Sequence, residues 1–351
     1  MVYNEVRKDY LLNRWVVIAK ERKKRPTDFV NNNKIANKGI CPLCPGNEHM
    51  TPPAVLVYNF SEGKIKKEKD KKGFTFKDWS VRVIPNLYPV FKPPKQKNYE
   101  IKEKSTSAFQ AIGHHEVIIE SSCHEEHLGI ARPSQIIQVI EAYLDRIKTL
   151  SKNNYVKHIS IFRNYRPEAG ASLAHPHSQL IATPCIPTIL NQEKKASKMF
   201  WDKNCKCCFC DILDKEKKGP RFIWENNSFL VFTPWASVNP LEFWIMPKMH
   251  HSNMLDMSEM EKKDLAEVLR VSLGGLKNVV NSPPYNFGFH SLIDEKTTDY
   301  YHWHLEVYPR LNIWAGFEKS TGMFINVISP EDAALELRKS LKRNKDAKLF
   351  S

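Results

Sequence analysis

Two copies of one marker pattern, each threaded through strand-like and helix-like runs, predict an α+β protein. Two mainly antiparallel sheets are expected, with helices packed on them. The first copy reads Cys41-x-x-Cys44, then His124, then His175-x-His177-x-Gln179. The second reads Cys207-x-x-Cys210, then His250, then His302-x-His304-x-Glu306. His124 and His175 lie 51 positions apart, and His250 and His302 lie 52 apart. The matching spacing divides the chain into an N-terminal half, 1–190, and a C-terminal half, 191–351.

The elements follow in order. Ser80-Val-Arg-Val-Ile-Pro85 reads as a strand and is mirrored by Ser228-Phe-Leu-Val-Phe-Thr-Pro234. Cys44 and His124 are 80 positions apart where the second copy needs 40. Part of the excess is Lys64 to Lys72, mixed in sign and ending at Gly73, which reads as a solvated hairpin tip. Another part is a loop containing Pro93-Pro94. Strand-like runs Glu116–Glu120 and Glu242–Met246 precede His124 and His250. An amphipathic helix follows each. Ser134 to Leu150 spaces Ile136, Ile140, Tyr143, Leu144 and Ile147 helically, and Ser258-x-x-Glu261 is a capping box opening a helix to about Val280. Strands are then expected at His158–Phe162 and Asn286–Leu292, each followed by a loop and the H-x-H strand. Pro187 and the polar run Asn191–Ser197 interrupt the pattern between the halves, and Arg338–Lys348 reads as a basic helix end.

At 42% hydrophobic and 11% aromatic residues, 351 positions can bury a substantial core. No apolar run of about 18 residues suggests a membrane span, and Met1-Val-Tyr-Asn-Glu5 has no signal-peptide character. A soluble, cytoplasmic protein is the expectation. The net charge of +14 is spread over short mixed runs. It reads as solvated surface that attracts small anions such as sugar phosphates, more than as a nucleic-acid footprint. The rival reading, a zinc-bearing nucleic-acid module, has ligands too dispersed for a small finger.

Of eight cysteines, six fall in two tight groups, which suggests zinc rather than a disulfide framework. Cys123 and Cys185 read as ordinary buried thiols. Cys205-x-x-Cys208 overlaps Cys207-x-x-Cys210, and the repeat favours the latter. A closed zinc site needs four ligands. The first half offers Cys41, Cys44, His124 and one of His175 or His177. The second offers Cys207, Cys210, His250 and one of His302 or His304. His114, His115, His127 and His251 read as surface or hydrogen-bonded histidines. On an extended strand His175 and His177 share a face, so one can hold metal while its neighbour meets a substrate. A neutral imidazole is a nucleophile near pH 7, and the small Gly170 and Ser172 suit a backbone that approaches phosphate.

The C-x-x-C pair, the later histidine and His175-Pro-His177-Ser-Gln179 resemble the galactose-1-phosphate uridylyltransferases of the histidine-triad superfamily. The block Ala315-Gly-Phe317-Glu318 to Asn326 is similar to the branch that includes a plant ADP-glucose phosphorylase. The resemblance spans nearly the whole chain and implies a duplicated histidine-triad-like fold. It implies that His177 carries a covalent uridylyl group and that Gln179 hydrogen-bonds the transferred phosphate, with Gly170 and Ser172 lining it. It also implies that Arg22, Arg25, Asn86 and Asn164 hold the nucleotide, with Phe317 and Glu318 in the sugar-phosphate segment. One zinc would sit on Cys41, Cys44, His124 and His175, and a second on Cys207, Cys210, His250 and His302. The implied reaction moves UMP from UDP-glucose to a hexose 1-phosphate, galactose 1-phosphate, by a ping-pong route. The alternative is a nucleotide-sugar phosphorylase using phosphate. Family members are commonly homodimers. The chain departs from the family at Asn312-Ile-Trp, where a lysine is usual. Trp303 and Glu306 replace Pro176 and Gln179 in the second copy, so His304 is expected not to be a nucleophile.

Overall fold

The computed structural model describes residues 4–20, 39–61, 64–71, 73–95, 110–293 and 299–348. Its centre is one antiparallel sheet of 11 strands. In chain order these are β3 (Leu56–Ser61), β4 (Lys64–Glu68), β5 (Trp79–Pro85), β6 (His114–Ile119), β7 (His158–Tyr165), β8 (His177–Thr183), β9 (Phe222–Glu225), β10 (Phe229–Phe232), β11 (Phe243–Pro247), β12 (Tyr285–His290) and β13 (His304–Pro309). The spatial order is β4-β3-β5-β6-β8-β7-β12-β13-β11-β10-β9.

Apart from the extra edge strand β4, that order is a palindrome. Read inward, β3-β5-β6-β8-β7 has the same succession as β9-β10-β11-β13-β12, so the duplication in the sequence is a duplication of topology. The two expected half-sheets are present but not separate. They are zipped at β7 and β12, where Tyr285 opposes Tyr165 and Asn286 opposes Asn164. Equivalent edges meet antiparallel, and neither is left unpaired.

One face of the sheet carries α1 (Pro133–Leu150), α4 (Glu259–Val279) and α6 (Pro330–Lys348). Pro133 opens α1, where a missing N–H costs nothing. The expected Ser258–Glu261 capping box opens α4. Ile136, Ile140 and Tyr143 of α1, Leu265, Leu269 and Leu273 of α4 and Leu337 and Leu341 of α6 join strand residues of both halves in one buried cluster. Each fully buried aliphatic side chain contributes about 1.5–3 kcal/mol. The turn leading into α1 approaches α4 closely at glycines: a Cβ on Gly274 would lie 2.9 Å from the Gly129 carbonyl oxygen.

The opposite face differs between the halves. A second sheet of 3 strands, β1 (Glu5–Lys8), β2 (Trp15–Ile18) and β14 (Phe324–Asn326), packs by Val16 and Ile18 on Ala236 and Val238 of the second half. The short helix α5 (Gly316–Thr321) leads into β14. Helices α2 (Thr188–Asn204) and α3 (Cys208–Glu216) cover the rest of that half through Leu190, Phe209 and Ile212. The chain's first strands thus serve the second half's layer rather than the first half. Arg7 ties them there by hydrogen bonds to the Trp235 carbonyl and Glu331.

Two local expectations differ from the structure. The stretch 186–206, expected to break the pattern, contains the 17-residue helix α2. Gln192 and Lys195 of its polar run face outward, while Leu190, Glu193 and Ser197 turn inward. Lys64–Glu68 is not a tip but the edge strand β4, paired along β3. Its lysines suit an edge, where charge discourages further strand addition.

Candidate active site and metal-binding groups

His177 opens β8 on the face away from α1 and α4, and it is 7% exposed. Its Nδ1 lies 2.8 Å from the His175 carbonyl oxygen. A carbonyl only accepts, so Nδ1 bears the proton and the Nε2 lone pair is left for chemistry. Burial, with a lesser push from the Arg163 cation, lowers the His177 pKa below the ordinary imidazole value, which keeps the ring neutral. Gln179 stands two residues on, along the same face. Its Oε1 lies 2.8 Å from His115 Nε2, and its NH2 group has no protein partner among the described residues.

Asn164 on β7 joins this face from the strand beside β8. Its Oδ1 accepts a 2.8 Å hydrogen bond from Asn286 Nδ2, which also donates to the Ala169 carbonyl at 2.7 Å. The second half therefore supports the first half's site across the β7–β12 seam. After β7 the chain turns sharply. Arg166 has φ 73°, strained for a residue with a Cβ, and Gly170 has φ 89°, which its missing side chain permits. The turn leaves Gly170 and Ser172 exposed just before His175. Asn86 ends the β5 side of the cleft, with its Nδ2 3.1 Å from His115 Nε2 and its Oδ1 accepting from the Tyr88 amide.

Cys41, Cys44, His124 and His175 come together, with one donor atom from each lying within 4.8 Å of the others. Cys44 Sγ is 3.3 Å from His124 Nδ1 and 3.4 Å from His175 Nδ1, and the two Nδ1 atoms are 3.3 Å apart. A tetrahedron of about 2.0–2.3 Å metal–ligand bonds has edges of roughly 3.3–3.8 Å. His175 Nε2 donates to the Ser121 carbonyl at 2.8 Å, which leaves Nδ1 as the metal-facing lone pair. Burial holds His175 neutral, its pKa down to about 4. These residues fit a metal ion.

Cys207, Cys210, His250 and His302 form the corresponding group in the second half, again within 4.8 Å. Cys210 Sγ is 3.3 Å from His250 Nδ1 and 3.6 Å from His302 Nδ1. Cys205 is exposed and outside the group, and Cys123 and Cys185, expected to be buried, are exposed as well, because both lie in bends outside the packed strands and helices. One support differs: His302 Nε2 is buried without a partner where His175 has the Ser121 carbonyl.

His304 repeats the backbone bond of His177, with Nδ1 3.2 Å from the His302 carbonyl. Its surroundings do not repeat. It lies fully buried between Trp244, with ring centroids 4.8 Å apart, and Phe209, at 5.0 Å. Trp244 opposes Glu306, whereas the smaller Val117 opposes Gln179. His304 Nε2 points at Glu306 Oε1, 3.3 Å away. Glu193 and His290 complete this knot, His290 Nδ1 lying 2.9 Å from Glu193 Oε1. Against burial, Glu193 and Glu306 push the His290 pKa up to about 9. Glu193, His290, His304 and Glu306 also lie within 4.8 Å and could hold a cation, although they satisfy one another. Sequence reading missed Glu193 and His290. The only signal was Glu306 in the place of Gln179.

A family model described as "Galactose-1-phosphate uridyl transferase, N-terminal domain" matches residues 66–187. Another, a domain of unknown function (DUF4921), matches residues 127–351. An ADP-glucose phosphorylase of Arabidopsis thaliana is 32% identical over 95% of this chain and 92% of its own. A galactose-1-phosphate uridylyltransferase of Thermotoga maritima is 30% identical over 96% and 98%. The chain belongs to the galactose-1-phosphate uridylyltransferase family. A crystal structure of the Arabidopsis ADP-glucose phosphorylase with bound ADP-glucose superimposes with a TM-score of 0.79, at 31% identity, covering 96% of this chain and 99% of that one. The uridylyltransferase family is one of nucleotidyltransferases, and this chain shares its mixed α+β fold over nearly its full length.

Not every expected site residue joins the His177 group. Arg22 and Arg25 lie outside the described residues. Phe317 is half-exposed on α5, and Glu318 accepts from the Ala315 amide at 3.0 Å as a helix cap. Neither forms a hydrogen bond or ion pair with the His177 group among the described residues. No helix among the described residues is long and apolar enough to cross a membrane.

Proposed function

We propose that this protein transfers UMP from UDP-glucose to galactose 1-phosphate through a covalent nucleotidyl group on His177. The observation that carries the reading is the hydrogen bond from His177 Nδ1 to the His175 carbonyl, which leaves Nε2 as a buried, neutral lone pair beside Gln179. Nε2 attacks the α-phosphorus in line. The bond from that phosphorus to the bridging oxygen breaks, and glucose 1-phosphate leaves with the electron pair. A phosphate oxygen of galactose 1-phosphate then attacks the same phosphorus, and the N–P bond breaks. The leaving group is already a weak base, so positioning and charge stabilisation do the catalysis. The Gln179 amide and Asn164 can donate to phosphate oxygens without protonating the nucleophile. Gly170 and Ser172 present backbone to the same phosphate. Arg22, Arg25 and Asn86 hold the nucleotide, and Phe317 and Glu318 belong to the sugar-phosphate segment.

Zinc is the metal proposed for Cys41, Cys44, His124 and His175, and a second zinc for Cys207, Cys210, His250 and His302. Zinc held there would clamp the four side chains together. It would thereby anchor His175, and with it the carbonyl that orients His177.

A second reading keeps the same first step and replaces the acceptor by inorganic phosphate, giving a nucleotide-sugar phosphorylase. The full-length similarity to an ADP-glucose phosphorylase favours it. Incubation with α-labelled UDP-glucose or ADP-glucose tests both. The expected result is an acid-labile label on wild type, lost in His177→Ala and discharged by galactose 1-phosphate. Discharge by phosphate alone selects the phosphorylase. Label retained in His177→Ala sinks the nucleophile.

A further inference from the structure

His115 lies at the meeting point of three parts of the proposed site, and its ring nitrogens have distinct partners. It sits on β6, facing the same side as Val117 and Ile119. In the β6–β8 register Gln179 opposes Val117, so His115 reaches Gln179 along the diagonal. Its Nδ1 receives the backbone N–H of Val90 at 3.3 Å. A peptide N–H only donates, so Nδ1 is the acceptor and the proton of the neutral ring is on Nε2. That Nε2–H faces Gln179 Oε1 at 2.8 Å. Asn86 Nδ2, 3.1 Å from the same nitrogen, is held there because Asn86 Oδ1 accepts from the Tyr88 amide. In this tautomer the Asn86 Nδ2 contact is not a hydrogen bond to the ring, because both nitrogens are donors.

We propose that His115 is a positioning residue for nucleotidyl transfer. It donates from Nε2 to Gln179 Oε1 and so turns the Gln179 NH2 group toward the phosphate at His177. An amide has one acceptor end and one donor end, so tying the oxygen decides where the nitrogen points. A flipped Gln179 would present its oxygen to a phosphate oxygen and repel it. The Val90 bond makes the arrangement more than a local contact. It fixes the tautomer through the backbone of the loop after β5, whose Leu87, Tyr88 and Val90 are exposed beside the cleft. An ordered loop at 86–90 and an aligned Gln179 therefore depend on one imidazole. The inference rests on the proposed covalent step at His177 and adds a residue to it.

A double-mutant cycle on nucleotidyl-enzyme formation, read by single-turnover labelling from α-labelled UDP-glucose and ADP-glucose, tests the assignment. His115→Phe is expected to slow labelling about 10-fold, the size of one orienting hydrogen bond. In a Gln179→Ala background the same change should have little further effect, because the donor it aligns is gone. His115→Gln places an amide near the Nε2 position and should recover most of the rate. His115→Asn reaches only the Nδ1 position and should behave like His115→Phe. Equal losses in both backgrounds, or no recovery with His115→Gln, would overturn the proposal. Ring 15N NMR of histidine-labelled wild type, with His115 assigned by its absence in His115→Gln, provides a readout independent of turnover. The Nε2–H tautomer is expected, and the Nδ1–H tautomer contradicts the assignment. Absence of any label on wild type, with the Nε2–H tautomer present, would sink the covalent reading and leave the His115–Gln179 alignment standing.

Discussion

His175 and His177 are two positions apart and do different work because their ring nitrogens are tied differently. His175 donates from Nε2 to the Ser121 carbonyl and turns Nδ1 to the cysteines, while His177 donates from Nδ1 to His175 and keeps Nε2 open. The expected consequence is a separation of phenotypes. His177→Ala should retain full zinc content by elemental analysis and lose labelling by on the order of 10³-fold or more. His175→Ala should lose both. Zinc loss in His177→Ala would show that the two roles are not divided. Burial also bears on acid stability. His158 sits in β7 with its pKa lowered from 6.5 to about 3 by burial. Below about pH 6.5 the unfolded chain binds a proton at this ring and the folded chain does not. The contribution is fully present above that pH and is lost progressively as pH falls toward 3. In denaturant titrations His158→Gln should flatten the decline between pH 6.5 and 4, and an unchanged slope would count against this source.

At the scale of elements, β6, β7 and β8 present the cleft residues on one face and are braced on the other by buried charge. Arg163 Nε lies 3.0 Å from each Glu120 oxygen, and its other nitrogens meet the Tyr285 hydroxyl and His127 Nδ1. Both partners are 1% exposed. Such a pair gains little over an apolar one, yet removing one member strands a charge. Glu120→Ala should cost about 3–5 kcal/mol in denaturant unfolding, whereas Lys198→Ala, at an exposed i,i+4 pair with Asp202, should cost less than about 0.5 kcal/mol. A Glu120→Ala loss under 1 kcal/mol would mean that water reaches Arg163. Strand alternation made the cleft face legible in the sequence, because period 2 puts His177 with Gln179. The brace was not legible, since Glu120 and Arg163 meet through the register of strands 43 positions apart. His115 was read only as a surface or hydrogen-bonded histidine for the same reason, its partners lying on other elements.

At the scale of the whole molecule, the halves share one sheet and one core cluster, with Ile136 and Tyr143 of the first half and Leu265 and Phe287 of the second packed together. The metal-saturated protein should therefore unfold in a single calorimetric transition. Two resolved transitions would show that the seam at β7 and β12 is weaker than the halves it joins. Chelation of the metal should lower that transition and the labelling rate together, because His175 links the metal-binding group to the carbonyl that orients His177.

The sequence by itself determined the duplication, the two Cys/His groups that could hold a metal and the motif of the cleft. Each of these is a matter of spacing: C-x-x-C, H-x-H running into a strand, and a repeat that states both twice. Gln179 against Glu306 also pointed to the first half as the active one, but only the tertiary structure decided how the second half is closed. The first half leaves His177 on the same face as a Gln179 NH2 group that has no protein partner among the described residues. The second encloses His304 between Trp244 and Phe209, under the cover of α2, α3 and the N-terminal strands. The identity of that cover could not be read locally. It is built from segments far apart in the chain, joined by apolar packing and by ion pairs such as Arg7 with Glu331, whose partners are set by the fold rather than by their neighbours in sequence.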